Sequence, residues 1–109
     1  FLQEVLIPLK KNRAFSFRPY SCKTGSLGRA VYVEPKPITV VEGSYSCHPD
    51  LWDYYDLHVF VDIDAKTQME RIIARNGIQA AEVFKSRWIP MEEEYFSAFD
   101  IQMRCEIQV

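Results

Sequence analysis

The stretch from Pro37 to Asp64, PITVVEGSYSCHPDLWDYYDLHVFVDID, constrains this chain more than any other. It holds two apolar runs, Ile38 to Val41 and Leu57 to Val61, and neither alternates strictly between apolar and polar residues. Continuous apolar strands belong where both faces are covered, as in a parallel sheet flanked by helices. Between them, Ser44 to Asp56 has the length of a crossover joining parallel neighbours, and Pro49-Asp50 suits the opening of a short helix within it. The first run ends at Glu42-Gly43, a carboxylate followed by the residue freest in its backbone angles, at the strand end where open α/β sheets hold their ligands. An α/β fold with a parallel central sheet is therefore expected, with Glu42 as the first candidate for chemistry.

A chain of 109 residues makes one domain or part of one, and 48% apolar residues supply enough for a core, which argues against disorder. The net charge of -2 conceals a gradient: residues 1–29 carry six Lys/Arg against Glu4 alone, and the remainder carries seven basic and fourteen acidic residues. A basic front end suits a phosphate or another anion, and a solvated basic surface fits the same pattern. With a basic excess only at the front and the total negative, nucleic acid is not an expected partner. Cys22, Cys47 and Cys105 form no C-x-x-C pair, so reduced thiols in a cytoplasmic protein are expected rather than a disulfide framework or a zinc site. No apolar run approaches the roughly 18 residues of a membrane span, so no membrane partner is expected. Phe1, Leu2, Val5, Leu6 and Leu9 fall at helical spacing from the first residue, as expected of a piece cut from a longer chain.

Along the chain, residues 1–12 read as an amphipathic helix weakened at Pro8. Ala14 to Tyr20 and Arg29 to Glu34 read as strands of a hairpin with a long tip, and Pro19 favours an edge position. Arg18, Tyr20 and Lys23 either face a ligand there or belong to an ordinary exposed hairpin. His48 and His58 have no companions at metal-ligand spacing. His58 reads as a core residue, whereas His48, on the loop after Glu42, is a candidate for substrate contact or a loop residue without function. Trp52, Tyr54 and Tyr55 either stack a base or pack the crossover. Asp64 caps a helix from Ala65 to about Asn76, stopped by Gly77, with Met69, Ile72 and Ile73 as its buried stripe. Arg71 and Arg75 lie one turn apart away from that stripe; they repel unless solvated or bridged by an anion. Residues 76–88 read as a short Gly-hinged helical lid ending in Arg87. The last helix is expected from around Pro90, with Glu92, Glu93 and Glu94 complementing its N-terminal dipole rather than forming a catalytic cluster. Met91, Tyr95, Phe96, Phe99 and Met103 make its apolar stripe, and Cys105 to Val109 reads as a final short strand.

The runs ITVVEGSYS, HPDLWDYYDLHVFVDID, QMERIIARNG and FKSRWIPMEEEYF, in that order, resemble the C-terminal half of P-loop kinases of the uridine kinase and phosphoribulokinase superfamily, particularly bacterial uridine kinase-like proteins. The likeness extends over roughly residues 36–100, and Arg18-Pro19-Tyr20-Ser21 is similar to the P-x-Y-D hairpin that holds the nucleoside in uridine kinases. It implies part of a P-loop NTPase three-layer α/β/α fold, one partial kinase domain over residues 1–109 with a protruding substrate-side hairpin at 14–34 and a lid at 76–88. It further implies ATP and Mg²⁺ as cofactors and a small-molecule hydroxyl acceptor as substrate, and it is compatible with a homo-oligomer. Glu42 matches the acidic position near Mg²⁺ and its water shell, Arg71 and Arg75 the helix arginines that contact ATP, and Arg87 the lid arginine that reaches the phosphates. Tyr20 would lie beside the base or sugar. Two departures stand out. The chain contains neither G-x-x-x-x-G-K-[ST] nor the family's early base Asp, both of which the resemblance implies to precede Phe1. Ser21 replaces the hairpin Asp, and the histidine that follows it in true uridine kinases is absent; Lys23 nearby suits a phosphorylated or acidic acceptor. Alternatives are another P-loop metabolite kinase, of the phosphoribulokinase or pantothenate kinase type, and a nucleotide-binding module without catalysis.

Overall fold

The computed structural model describes residues 1–109. A π turn at Leu2–Leu6 runs into α1 (Ile7–Lys10), followed by β1 (Phe15–Phe17), β2 (Tyr20–Ser21), β3 (Ser26–Leu27) and β4 (Val31–Val33). Then come α2 (Pro49–Trp52), β5 (Val59–Phe60), α3 (Ala65–Asn76), α4 (Ile78–Val83), a π turn at Phe84–Trp88, α5 (Ile89–Ala98), α6 (Ile101–Arg104) and β6 (Ile107–Gln108). The architecture is mixed α/β, with small sheets only.

The expected hairpin forms, in two ladders. Phe15 faces Val33 and Phe17 faces Val31, while nearer the tip Tyr20 faces Leu27 and Ser21 faces Ser26. Between the ladders Arg18-Pro19 opposes Gly28-Arg29-Ala30, so the returning strand carries an extra residue and the ribbon bends. Pro19 has no N–H to give, but its carbonyl accepts from the Gly28 N–H at 2.7 Å. A Cβ at Gly28 would stand 3.3 Å from that same oxygen, so the close approach favours glycine. The ribbon is fastened to the first helix by charge: Glu4 accepts the Arg18 backbone N–H at 2.8 Å and the Nε–H at 3.0 Å, and pairs with Nη2 as well. Arg18, a candidate for facing a ligand, is committed to this tie. Hydrogen bonds from Arg18 hold the Glu4 carboxyl below its ordinary range.

Both π turns directly precede a helix with proline at its start, Pro8 in α1 and Pro90 in α5. Proline removes one intrahelical bond and crowds the carbonyl four residues back, here that of Glu4 or Ser86, and a widened turn relieves both problems without ending the helix. The chain from Ile78 to Ala98 is consequently helical without a break, where sequence reading expected a new helix around Pro90. The segment 76–88 has its Gly77 hinge (φ 84°) on one side only. At the far end, Phe99 closes α5 and Asp100 takes a left-handed conformation (φ 50°). The expected stripe is thereby divided: Tyr95 is buried and Phe96 half-buried, while Met91, Phe99 and Met103 are exposed.

The parallel element is a pair, β5 with β6, Val59 opposite Ile107 and Phe60 opposite Gln108. Two expectations are corrected here. β5 is not covered on both faces: His58 and Phe60 turn inward and Leu57, Val59 and Val61 are exposed. Ile38 to Val41 forms no strand, and Ile38 and Val40 are each 83% exposed. No strand of the chain pairs with this run, so a stretch with the composition of a sheet centre is left without a sheet. On α3, Ile72 is buried and Met69 half-buried as expected, but Ile73 is exposed.

The core gathers on the inner side of β5. Ile101, 1% exposed, packs with Tyr95 and Cys105, and Cys47, Trp52, Phe60 and Phe96 close around them. Burial pushes the Tyr95 hydroxyl up to about 12 and the Cys105 thiol up to about 11. His58 is a core residue, as expected, with its ring stacked 3.8 Å from Trp52, Nε2 3.0 Å from the Trp52 carbonyl oxygen and Nδ1 3.1 Å from Glu106 Oε2. The Arg104 guanidinium lies 4.1 Å from the centroid of the Trp52 ring, extending the stack. Only eight residues are buried, and the accessible surface is 8576 Å². A compact chain of this mass exposes about 6300 Å². The radius of gyration of 16.0 Å likewise exceeds the roughly 13 Å of a compact domain of this length. The exposed apolar rows of β5 and of residues 38–41 contribute to this excess.

Three carboxyls in the fold are held low: Glu106 by its own backbone N–H and that of His58, Glu4 by Arg18, and Asp64 by Thr67. A carboxyl lowered on folding stabilises the folded state above its unfolded value, and that contribution disappears as pH falls through the folded value. The urea midpoint is therefore expected to be steady from neutrality down to about pH 4.5 and to fall below it, with Glu106→Gln reducing the drop. A midpoint that rises on acidification would contradict these assignments.

Candidate functional site

Glu42 stands exposed after the irregular run 38–41 and makes no hydrogen bond. Gly43 follows at φ 151°, a value side chains disfavour, with nothing within 4 Å of where a Cβ would lie, so the demand for glycine is conformational. The Gly43 carbonyl accepts both the Ser46 N–H at 3.0 Å and the Ser46 hydroxyl at 2.8 Å, which closes a turn right behind Glu42. Within that turn the Ser44 hydroxyl donates to Glu92 Oε1 on α5 at 2.8 Å.

The second wall comes from α3. Asp64 caps it, accepting the Thr67 N–H at 2.9 Å, and Gly77 ends it, so the helix runs the twelve residues the sequence marks. Arg71 and Arg75 project one turn apart, and together with Ser44, Gln68, Phe84 and Glu92 they line a pocket of about 260 Å³. Neither arginine forms an ion pair. Arg75 Nε–H donates to Asn76 Oδ1 at 2.8 Å, and Arg71 has no protein hydrogen-bond partner. A neighbouring cavity of about 450 Å³ beside Phe60 and Phe96 shares Ile63, Gln68, Ile89 and Glu92 with this pocket. Two guanidiniums, a hydroxyl, an amide and the Glu92 carboxylate line this opening beside Ile63, Ile72, Phe84 and Ile89, a set of donors that suits an anion, and Glu42 itself is not among the lining residues.

The remaining candidates lie outside that pocket. Arg87 is exposed on the π turn, its guanidinium 4.9 Å from the centroid of the Trp88 ring. Tyr20 and Lys23 are exposed on the hairpin, where the Tyr20 hydroxyl leans to 4.0 Å from the Cβ position of Gly25. His48 Nδ1 accepts the Asp50 N–H at 3.2 Å and so caps α2, while its ring lies parallel to Tyr95 at 6.2 Å and edge-on to Phe99 at 5.4 Å. No three His, Cys, Asp or Glu side chains are grouped to hold a metal ion. The folded chain thus brings Arg71 and Arg75 together with the turn behind Glu42, and it sets Arg87, Tyr20, Lys23 and His48 apart from them.

Sequence reading missed the Ser44–Glu92 bond. The partners are 48 positions apart, and Glu92 sits in a run of three glutamates that a helix dipole accounts for unaided. No local periodicity signals such a pair. No protein-family model and no curated protein sequence matches this chain.

Proposed function

We propose that this chain forms part of an ATP-dependent phosphotransferase of the uridine kinase-like kind, which phosphorylates a hydroxyl of a nucleoside or similar small metabolite. One observation carries the reading: two arginines without carboxylate partners share a pocket with the turn that follows Glu42-Gly43. Phosphoryl transfer asks a protein mainly to orient two oxygens and to neutralise charge on the transferring group, and guanidiniums without ion-pair partners suit that task. In this reading β5 and β6 belong to a three-layer α/β/α P-loop fold. The exposed apolar rows on β5 and at 38–41 pack against strands of the complete protein that carry the phosphate loop, which these residues lack.

Arg71 and Arg75 hold phosphate oxygens of ATP. Arg87, on the π turn that leads into α5, is the third cation this reading assigns to the phosphates. Glu42, a lone exposed carboxylate, fits Mg²⁺ as an acceptor from its bound waters rather than as a member of a direct ligand set. Bound there, Mg²⁺ neutralises charge on the phosphates. Tyr20, Lys23 and His48 serve the acceptor side. No helix is long and apolar enough to cross a membrane, and the three cysteines are free, which suits a cytoplasmic enzyme.

The test is a screen of the polypeptide that includes the phosphate loop against nucleosides and sugar phosphates, following ADP release. Turnover is expected with one acceptor class, and Arg87→Ala is expected to lower kcat by about tenfold or more. Arg104→Ala, which removes the cover over Trp52, is expected to lower stability instead. Nucleotide binding without ADP release for any acceptor would favour a non-catalytic module, and equal effects of the two substitutions on kcat would remove the lid role.

A further inference from the structure

Cys47 and Cys105 are the two thiols of the core, and we infer that they form an oxidisable pair at which a hydroperoxide installs a reversible disulfide. Cys105 is buried with Tyr95 and Ile101, and Cys47 packs on that cluster from the segment between the turn behind Glu42 and α2. Burial first, and then the Cys47 sulfur beside it, raise the Cys105 thiol. Exposure divides the work between them. A thiol reacts with an oxidant only where the oxidant reaches it, which holds for the half-buried Cys47 and not for the buried Cys105. A second observation points to the same place. The hydroxyls of Tyr55 and Tyr95 are buried without a hydrogen-bond partner, and Cys47 is a neighbour of both. Buried donors without acceptors are costly, and an oxygen added to Cys47 gives them one.

The step balances with the peroxide as the only co-reactant. The Cys47 sulfur attacks the peroxide, the O–O bond breaks, and Cys47 becomes a sulfenic acid while an alcohol leaves, or water from hydrogen peroxide. The Cys105 sulfur then attacks the sulfenic sulfur, the S–OH bond breaks, and water leaves with the Cys105 proton as the disulfide forms. Two thiols lose two electrons and two protons, and both electrons go to the oxygens of the broken bond. The new bond ties the crossover after Glu42 to the residues that lead into β6, and a small thiol reverses it.

The experiment treats the reduced chain carrying Cys22→Ser, which removes the exposed thiol and its dimers, with hydrogen peroxide and maps the products by non-reducing peptide mass spectrometry. The expected product is a monomer lighter by two hydrogens in which the Cys47 and Cys105 peptides are joined, restored to two thiols by dithiothreitol. Cys105→Ala is expected to leave Cys47 as a sulfenic acid that dimedone labels, and Cys47→Ser to slow oxidation of Cys105 by about tenfold or more. The disulfide closes a long loop, so the oxidised chain is expected to unfold at a urea midpoint higher by about 1 M or more. Oxidation of Cys47 to sulfinic acid while Cys105 stays free, or equal oxidation of Cys105 with and without Cys47, would overturn the pair. A urea midpoint that stays or falls on oxidation would overturn it as well, by showing that the bond does not fit the folded chain.

Discussion

Ile101→Ala is expected to cost about 2–5 kcal/mol, the range for truncating a large buried aliphatic side chain, and to leave much of the chain unfolded at room temperature. The reason lies in how little core there is to share the loss. Ile101 is the most deeply buried residue and joins Tyr95 and Cys105 at the point where α5, α6 and the segment around Cys47 and Trp52 meet. Ordinary domains are stable by only about 5–15 kcal/mol, and a chain with eight buried residues belongs at or below the lower end. Met103→Ala, two positions along on the exposed side of α6, serves as the control and is expected to change stability by no more than about 0.5 kcal/mol. Urea denaturation followed by circular dichroism measures both. Similar midpoints for the two variants would show that the core is not centred on Ile101.

The same shortage of core explains which parts of the fold the sequence reveals. Features fixed by neighbours along the chain were legible: Asp64 and Gly77 mark both ends of α3, Pro49 opens α2, and a hairpin forms around the turn-rich stretch, although its tip is only residues 22–25 because Ser26 and Leu27 pair with Ser21 and Tyr20. What depends on distant partners was not. The runs at 38–41 and 57–61 have the composition of buried strands, yet burial requires layers on both sides, and this chain offers β5 one partner and the earlier run none. Proline misled at position 90 because a π turn absorbs it, so one helix continues where a new one was expected. Within the site, the placing of Arg71 beside Arg75 follows from helical spacing alone, whereas their sharing an opening with Ser44 and Glu92 depends on residues far apart in the chain.

The double substitution Arg71→Ala with Arg75→Ala is expected to have the largest effect on binding. Charge-assisted hydrogen bonds contribute about 1.5–3 kcal/mol each, so losing both weakens a phosphate ligand by about a hundredfold or more. Each substitution alone is expected to account for about half of that in free energy, because the two guanidiniums are exposed on one face and neither is needed to support the other. Stability is expected to hold or rise slightly, since a repelling pair one turn apart is removed. Without a phosphate loop, ATP binding to these 109 residues is expected to be weaker than micromolar, and the double variant to show none. The most direct measurement is an NMR titration of the protein with ATP that reads the Nε–H signals of the arginines and the amide signals of Gly43, Ser44 and Gln68. Saturating shifts at Arg71, Arg75 and Ser44, absent from the double variant, are the result expected; shifts confined to the basic front end, at Lys10, Lys11 and Lys23, would contradict a phosphate site behind Glu42.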